Sequence, residues 1–174
     1  MKKCLLVIGV LFLWGMVLTG CSSIDFSKAM ELDELEQAAL EMIEEKGYTV
    51  VAQGGKSETY VLDRDRLACP NYALIWGIQE LDAEAYLGKS VETYEFLVED
   101  HPLLLDMEDG ADRIKLWVLT SEDQVIGGYT FPDYNDPYYG GVYSLEGKTL
   151  EEVTEMRFQT WRKQWEAKYQ PSKQ

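Results

Sequence analysis

Apolar residues run from Cys4 to Leu18 with only glycine between them, and beyond that point they recur at short, regular intervals. The first run follows Met1, Lys2 and Lys3 and is about 15 residues long, short of the roughly 20 that a membrane-spanning helix needs. A cationic start, an apolar stretch and small residues behind it are the layout of a secretory signal peptide. Residues 21–27 (CSSIDFS) read as a polar tether. In KAMELDELEQAALEMIEEKG (28–47), Leu32, Leu35, Ala39, Met42 and Lys46 fall at steps of three and four with acids on the other faces, which predicts an amphipathic helix. Ser27 or Asp25 would cap its start, and Gly47 stands where a C′ glycine belongs.

The period then changes. YTVVAQGGKSETYVLDR holds two β-rich runs around Gly54 and Gly55 and predicts a hairpin. After the break at Cys69-Pro70-Asn71, YALIWGIQ (72–79) reads as a buried strand. Asp82 caps one helical turn that stops at Gly88. Three more strands follow at 90–98, 113–120 and 124–131, the last two joined by a Ser121-Glu122-Asp123 turn. Their alternation favours antiparallel pairing with one solvated face. Thr149 and Glu152 form a capping box that opens a final helix, with Val153, Met156, Trp161 and Trp165 on one face and Phe158 and Tyr169 beside them. The expected fold is α+β: an antiparallel sheet of about six strands packed with N- and C-terminal amphipathic helices, after a cleaved signal peptide.

Charge narrows the partners. The whole chain carries −15, and its first 20 residues hold two lysines and no acid, so the remainder stands at −17. Phosphates repel such a domain, which excludes nucleic acid as a partner. The basic residues concentrate near the end, where Arg157, Arg162, Lys163 and Lys168 line the solvent side of the last helix. Of the three cysteines, Cys4 would leave with the signal, and Cys21 has another role, so Cys69 has no partner for an intramolecular disulfide.

Leu18-Thr19-Gly20-Cys21 resembles the lipobox of bacterial lipoproteins: an aliphatic residue, two small residues and a cysteine behind an apolar run. The resemblance implies cleavage before Cys21 and a diacylglycerol thioether on its sulfur. The chain would then divide into a signal peptide (1–20), a lipidated tether (21–27) and a single extracytoplasmic domain (28–170), held to the cell membrane by the lipid on Cys21. WGIQELDAEAYLGKSVETYEFLVEDHPL, KLWVLTSEDQVIGGYTFP and YSLEGKTLEEV, spanning roughly residues 72–155, resemble a family of small lipoproteins of Gram-positive bacteria whose function is unknown. That likeness implies a surface-anchored domain and carries no site residue with it.

Candidate chemistry is sparse. His101 is the only histidine, and one imidazole without a second histidine or a nearby cysteine does not build a usual zinc site. Standing before Pro102, it is expected to order a turn. Cys69 is expected to be a buried, inert thiol. No G-x-S-x-G elbow is present, and no motif points to an enzyme. In DMEDGAD, Asp106, Glu108, Asp109 and Asp112 offer hard oxygens to Ca²⁺. An EF-hand register fails there, however, because Gly110 at position six puts Leu105 at position one and Leu116 at position twelve. A solvated loop is the expectation, and no cofactor is required. FPDYNDPYYGGVY (131–143) sets Tyr134, Tyr138 and Tyr139 beside Asp136, the mix of aromatic faces and hydrogen-bonding groups that a sugar or peptide site uses. The expected function is a non-catalytic, membrane-anchored module for an unknown protein or cell-wall ligand. The alternatives are a Ca²⁺-dependent envelope or adhesion module and a cell-envelope hydrolase that works with carboxylates.

Overall fold

A computed structural model describes residues 33–106, 111–134 and 141–169. Helix α1 spans Glu34–Glu45. Its N-cap is Asp33, whose Oδ1 accepts the Leu35 N–H at 3.3 Å; Ser27 and Asp25 lie outside the described residues. The Tyr94 hydroxyl donates to the other oxygen of Asp33 at 2.7 Å, and Lys56 Nζ stands 3.3 Å from it. The cap therefore also pins the start of the helix to the sheet. Gly47, at φ +84°, takes the left-handed conformation that ends the helix.

The hairpin expected around Gly54-Gly55 is instead one long strand, β1 (Thr49–Val61). It pairs antiparallel with β2 (Ser90–Glu99) along its whole length, from Thr49 opposite Glu99 to Val61 opposite Ser90. Three register shifts interrupt the pairing, and Gly55 at φ +72° sits at one of them, so the glycines bend an edge strand rather than reverse it. The segment read as a strand at 72–79 is also different. Helix α2 (Arg64–Ala68) leads directly into α3 (Pro70–Gly77), with Pro70 at the first position. A short run that is apolar on every side has no period to separate buried helix from buried strand, and Pro70 favours the helix. These two corrections turn about six strands into four, in the order β1-β2-β3-β4, all antiparallel.

The turn at 83–86 forms as a 3₁₀ helix capped by Asp82, and Gly88 follows at φ +82°. Strands β3 (Ile114–Ser121) and β4 (Gln124–Pro132) make the expected hairpin. Its two central residues, Glu122 (φ 51°) and Asp123 (φ 59°), are both left-handed, as a type I′ turn requires. Glycine takes the second position of such a turn without strain. Asp123→Gly should therefore raise stability by about 1 kcal/mol, seen as a higher urea midpoint at unchanged slope.

The last helix is broken. Thr149 and Glu152 form their capping box on α4 (Leu150–Thr154), but Glu155 turns left-handed at φ 53° and ends it. Helix α5 (Phe158–Tyr169) restarts with the Glu151 carboxylate accepting the Phe158 N–H at 2.6 Å. One sheet face carries Tyr94, Phe96, Val98, Leu116 and Val118 against Ala39 and Ile43 of α1. At one end of the opposite face, Tyr60, Val91 and Leu119 are covered by Leu67, Trp76 and Tyr169. Among the described residues no helix is long and apolar enough to cross a membrane.

Candidate ligand-binding face

Residues two apart on a strand share a face, so the register assigns each side chain to a row. One row crosses all four strands: Gly55, Glu95, Trp117 and Tyr129 are successive cross-strand partners. Trp117 and Tyr129 stack with ring centroids 5.0 Å apart and planes 13° from parallel. Both rings are half-buried, as is Glu95 beside them. On the β1 side the neighbour of the Glu95 side chain is Gly54, where a Cβ would stand 3.1 Å from Glu95 Cβ. The next row holds Leu97, Lys115 and Phe131. Lys115 turns away from Glu95, its Nζ lying 3.1 Å from Asp133, which also draws Arg113 at 3.9 Å.

On the other side of the row lies a second aromatic group. Tyr60 of β1 and Tyr72 of α3 meet edge-on at 5.2 Å, and the Arg66 guanidinium sits 4.7 and 4.8 Å from their ring centres. Glu58 closes this cage, 3.4 Å from Arg66 and hydrogen-bonded by the Tyr72 hydroxyl. The Trp76 indole N–H donates to the Tyr60 hydroxyl at 3.1 Å. Burial pushes the Tyr60 phenol up to about 12. Burial also raises the Tyr129 phenol, and Tyr60, Glu58 and Glu95 add to the effect. Two carboxylates and four aromatic rings thus share one face of the sheet.

The residues singled out from sequence fall differently. Tyr134 is half-buried just past the end of β4, one residue beyond Asp133; Asp136, Tyr138 and Tyr139 lie outside the described residues. Tyr143 bridges Thr130 of β4 through hydrogen bonds of 3.0 and 2.8 Å. Of the four acids considered for Ca²⁺, Asp112 is exposed and 3.4 Å from Arg113, while Asp106 ends a 3₁₀ turn (Pro102–Asp106). Glu108 and Asp109 lie outside the described residues, and among those described no three potential ligands converge.

His101 is structural, as expected. It is buried, and its Nδ1 accepts the Leu103 N–H at 3.1 Å, so Nε2 carries the proton and donates to the Leu145 carbonyl at 2.9 Å. Tyr48 packs on the ring at 4.6 Å and donates to the same carbonyl. Both nitrogens are committed to backbone, so the imidazole is not free to act as a base. Burial holds its pKa below the ordinary 6.5, which means the unfolded chain takes up the proton first. Stability should fall as the pH drops below about 6.5. Nearby Glu146 titrates lower, held below 4.5 by Lys46. In His101→Gln the urea midpoint should be lower at pH 7, and the further loss between pH 7 and 5 should be smaller than in the wild type. Cys69 corrects its expectation: the residue is exposed, at the junction of α2 and α3, with its thiol donating to the Asp65 carbonyl at 3.4 Å. Cys69 is at once the C-cap of α2 and the N-cap of α3, in extended backbone, and it joins none of the core clusters.

Compared with known proteins, the chain matches no family model, no curated protein and no solved structure.

Proposed function

We propose that this chain is a lipoprotein, anchored through lipid on Cys21 at the outer face of the cell membrane, and that it binds a cell-envelope ligand on the sheet face that carries Trp117 and Tyr129. The stacked Trp117–Tyr129 pair carries the binding reading. Half-buried rings on a rigid sheet, bordered by Glu95, Glu58 and Lys115, supply apolar contact and directional polar groups together, which is what sugar and peptide sites need. Binding without turnover fits the commitment of His101, the only imidazole, to backbone hydrogen bonds. The lipobox at Leu18–Cys21 supports the location, and the likeness of residues 72–155 to Gram-positive lipoproteins agrees with it.

The test is titration of the full chain, purified in detergent, with muropeptides and cell-wall oligosaccharides while tryptophan fluorescence is followed. A saturable change should appear for one class. Trp117→Ala should weaken that binding by at least about tenfold, roughly 1.4 kcal/mol, at unaltered fold. Binding that survives the substitution would place the site elsewhere.

A further inference from the structure

The charges around the Trp117 row do not balance. Lys115, the nearest cation in the next row, is held by Asp133 at 3.1 Å. Arg66 is taken up by Glu58 and the two tyrosine rings. Glu95, half-buried on the central strand β2 and next to the Trp117–Tyr129 stack, has no ion pair among the described residues. Glu95 thus presents a half-buried carboxylate whose counter-charge an incoming cation would supply.

We infer that the Glu95–Trp117–Tyr129 row is a site for an organic cation, an alkylammonium or guanidinium group carried by a peptide. The inference rests on the proposed binding face and names what it takes. Aromatic faces attract cations through the ring quadrupole, most strongly where water is partly excluded, and a carboxylate supplies the charge. The same sheet face already shows this chemistry, since Tyr60, Tyr72 and Glu58 hold the Arg66 guanidinium at 4.7 and 4.8 Å from two ring centres. On the β1 side Gly54 lies against Glu95, where a Cβ would stand 3.1 Å from Glu95 Cβ, so β1 places no side chain over the carboxylate there. An excess of acid over the whole domain adds long-range attraction for a basic ligand.

The experiment titrates the full chain in detergent with three probes: Nα-acetyl-lysine methylamide, Nα-acetyl-arginine methylamide, and the lysine probe with its ammonium acetylated. Tryptophan fluorescence and thermal melting are the readouts. The charged probes should bind at least tenfold more tightly than the neutral one, and the better of the two identifies ammonium or guanidinium. Glu95→Gln should erase the difference. Asp133→Asn, which frees Lys115 to reach Glu95 diagonally across the strands, should reduce it. Glu44→Gln, at an exposed position of α1, should leave it intact. Equal binding of charged and neutral probes that is lost in Trp117→Ala would overturn the cation inference and leave the binding face standing. No response of Trp117 to these probes or to envelope fragments would overturn both. A difference that Glu44→Gln removes as well as Glu95→Gln would reduce the effect to overall charge and overturn the site.

Discussion

Cells producing Cys21→Ala should shed the protein into the medium, with the membrane fraction depleted by an order of magnitude or more. Each buried methylene contributes about 0.8 kcal/mol to membrane attachment; a single acyl chain holds only marginally, whereas two hold stably. Without the thioether, the apolar run from Cys4 to Leu18 is what could keep the chain in place, and it is shorter than the roughly 20 residues that span a hydrocarbon core. The rest of the chain works against retention, since a net charge of −17 beyond residue 20 is repelled by anionic headgroups. Immunoblots of medium and membrane fractions give the primary readout. Mass spectrometry of the wild-type membrane form should show a chain that starts at lipid-modified Cys21. Equal membrane retention of wild type and Cys21→Ala, with residues 1–20 still present in both, would replace the lipoprotein reading with an uncleaved anchor.

Local chemistry made part of the fold legible. The β3–β4 hairpin, strand β2, the 3₁₀ turn capped by Asp82 and the Thr149–Glu152 capping box each depend on residues close in sequence, and each forms. What failed depended on distant partners. Gly54 and Gly55 signal a turn in isolation, but β2 supplies a pairing partner for all of β1 and absorbs them as irregularities. YALIWG is apolar all round and becomes α3 because Pro70 starts a helix that buries Ala73 and Trp76 between the sheet and α5. The left-handed Glu155 has no glycine or asparagine to announce it.

The candidate site was hidden for a related reason. Counting back from the Ser121–Gln124 turn pairs Trp117 with Gly128. The register shift between Leu119 and Thr120 moves the pairing by one, so that Tyr129 meets Trp117 and Gly128 meets Val118. A single bulge thus creates the aromatic stack. Tyr72 reaches the same face only because its segment is helical. The tyrosines of 131–143 are neighbours in sequence, whereas the rings that converge come from four separate elements.

Gly77→Ala should lower stability by about 3 kcal/mol, or roughly 10 °C in melting temperature for a domain of this size. Gly77 is the last residue of α3, where the helix passes directly under the Trp161 indole. A methyl group there would stand 2.3 Å from Trp161 Cζ2 and 3.0 Å from Leu150 Cδ1. Trp161 cannot swing away cheaply, being 5% exposed and in ring contact with both Phe158 and Trp165, with centroids at 5.9 and 5.2 Å. Nor can α5 lift without cost, because the Trp165 indole N–H donates to the Leu67 carbonyl at 2.7 Å. The strain must therefore spread into α3, which also carries Tyr72 of the Arg66 cage and Trp76, the donor to Tyr60. Trp161→Phe, which removes part of the indole, should rescue Gly77→Ala by 1 kcal/mol or more in a double-mutant cycle, a coupling expected only of residues in contact. Additive losses would show that the helix relaxes without moving Trp161. If the coupling appears, cation affinity should fall in Gly77→Ala even where the protein remains folded, because α3 connects the packing of α5 to the binding face.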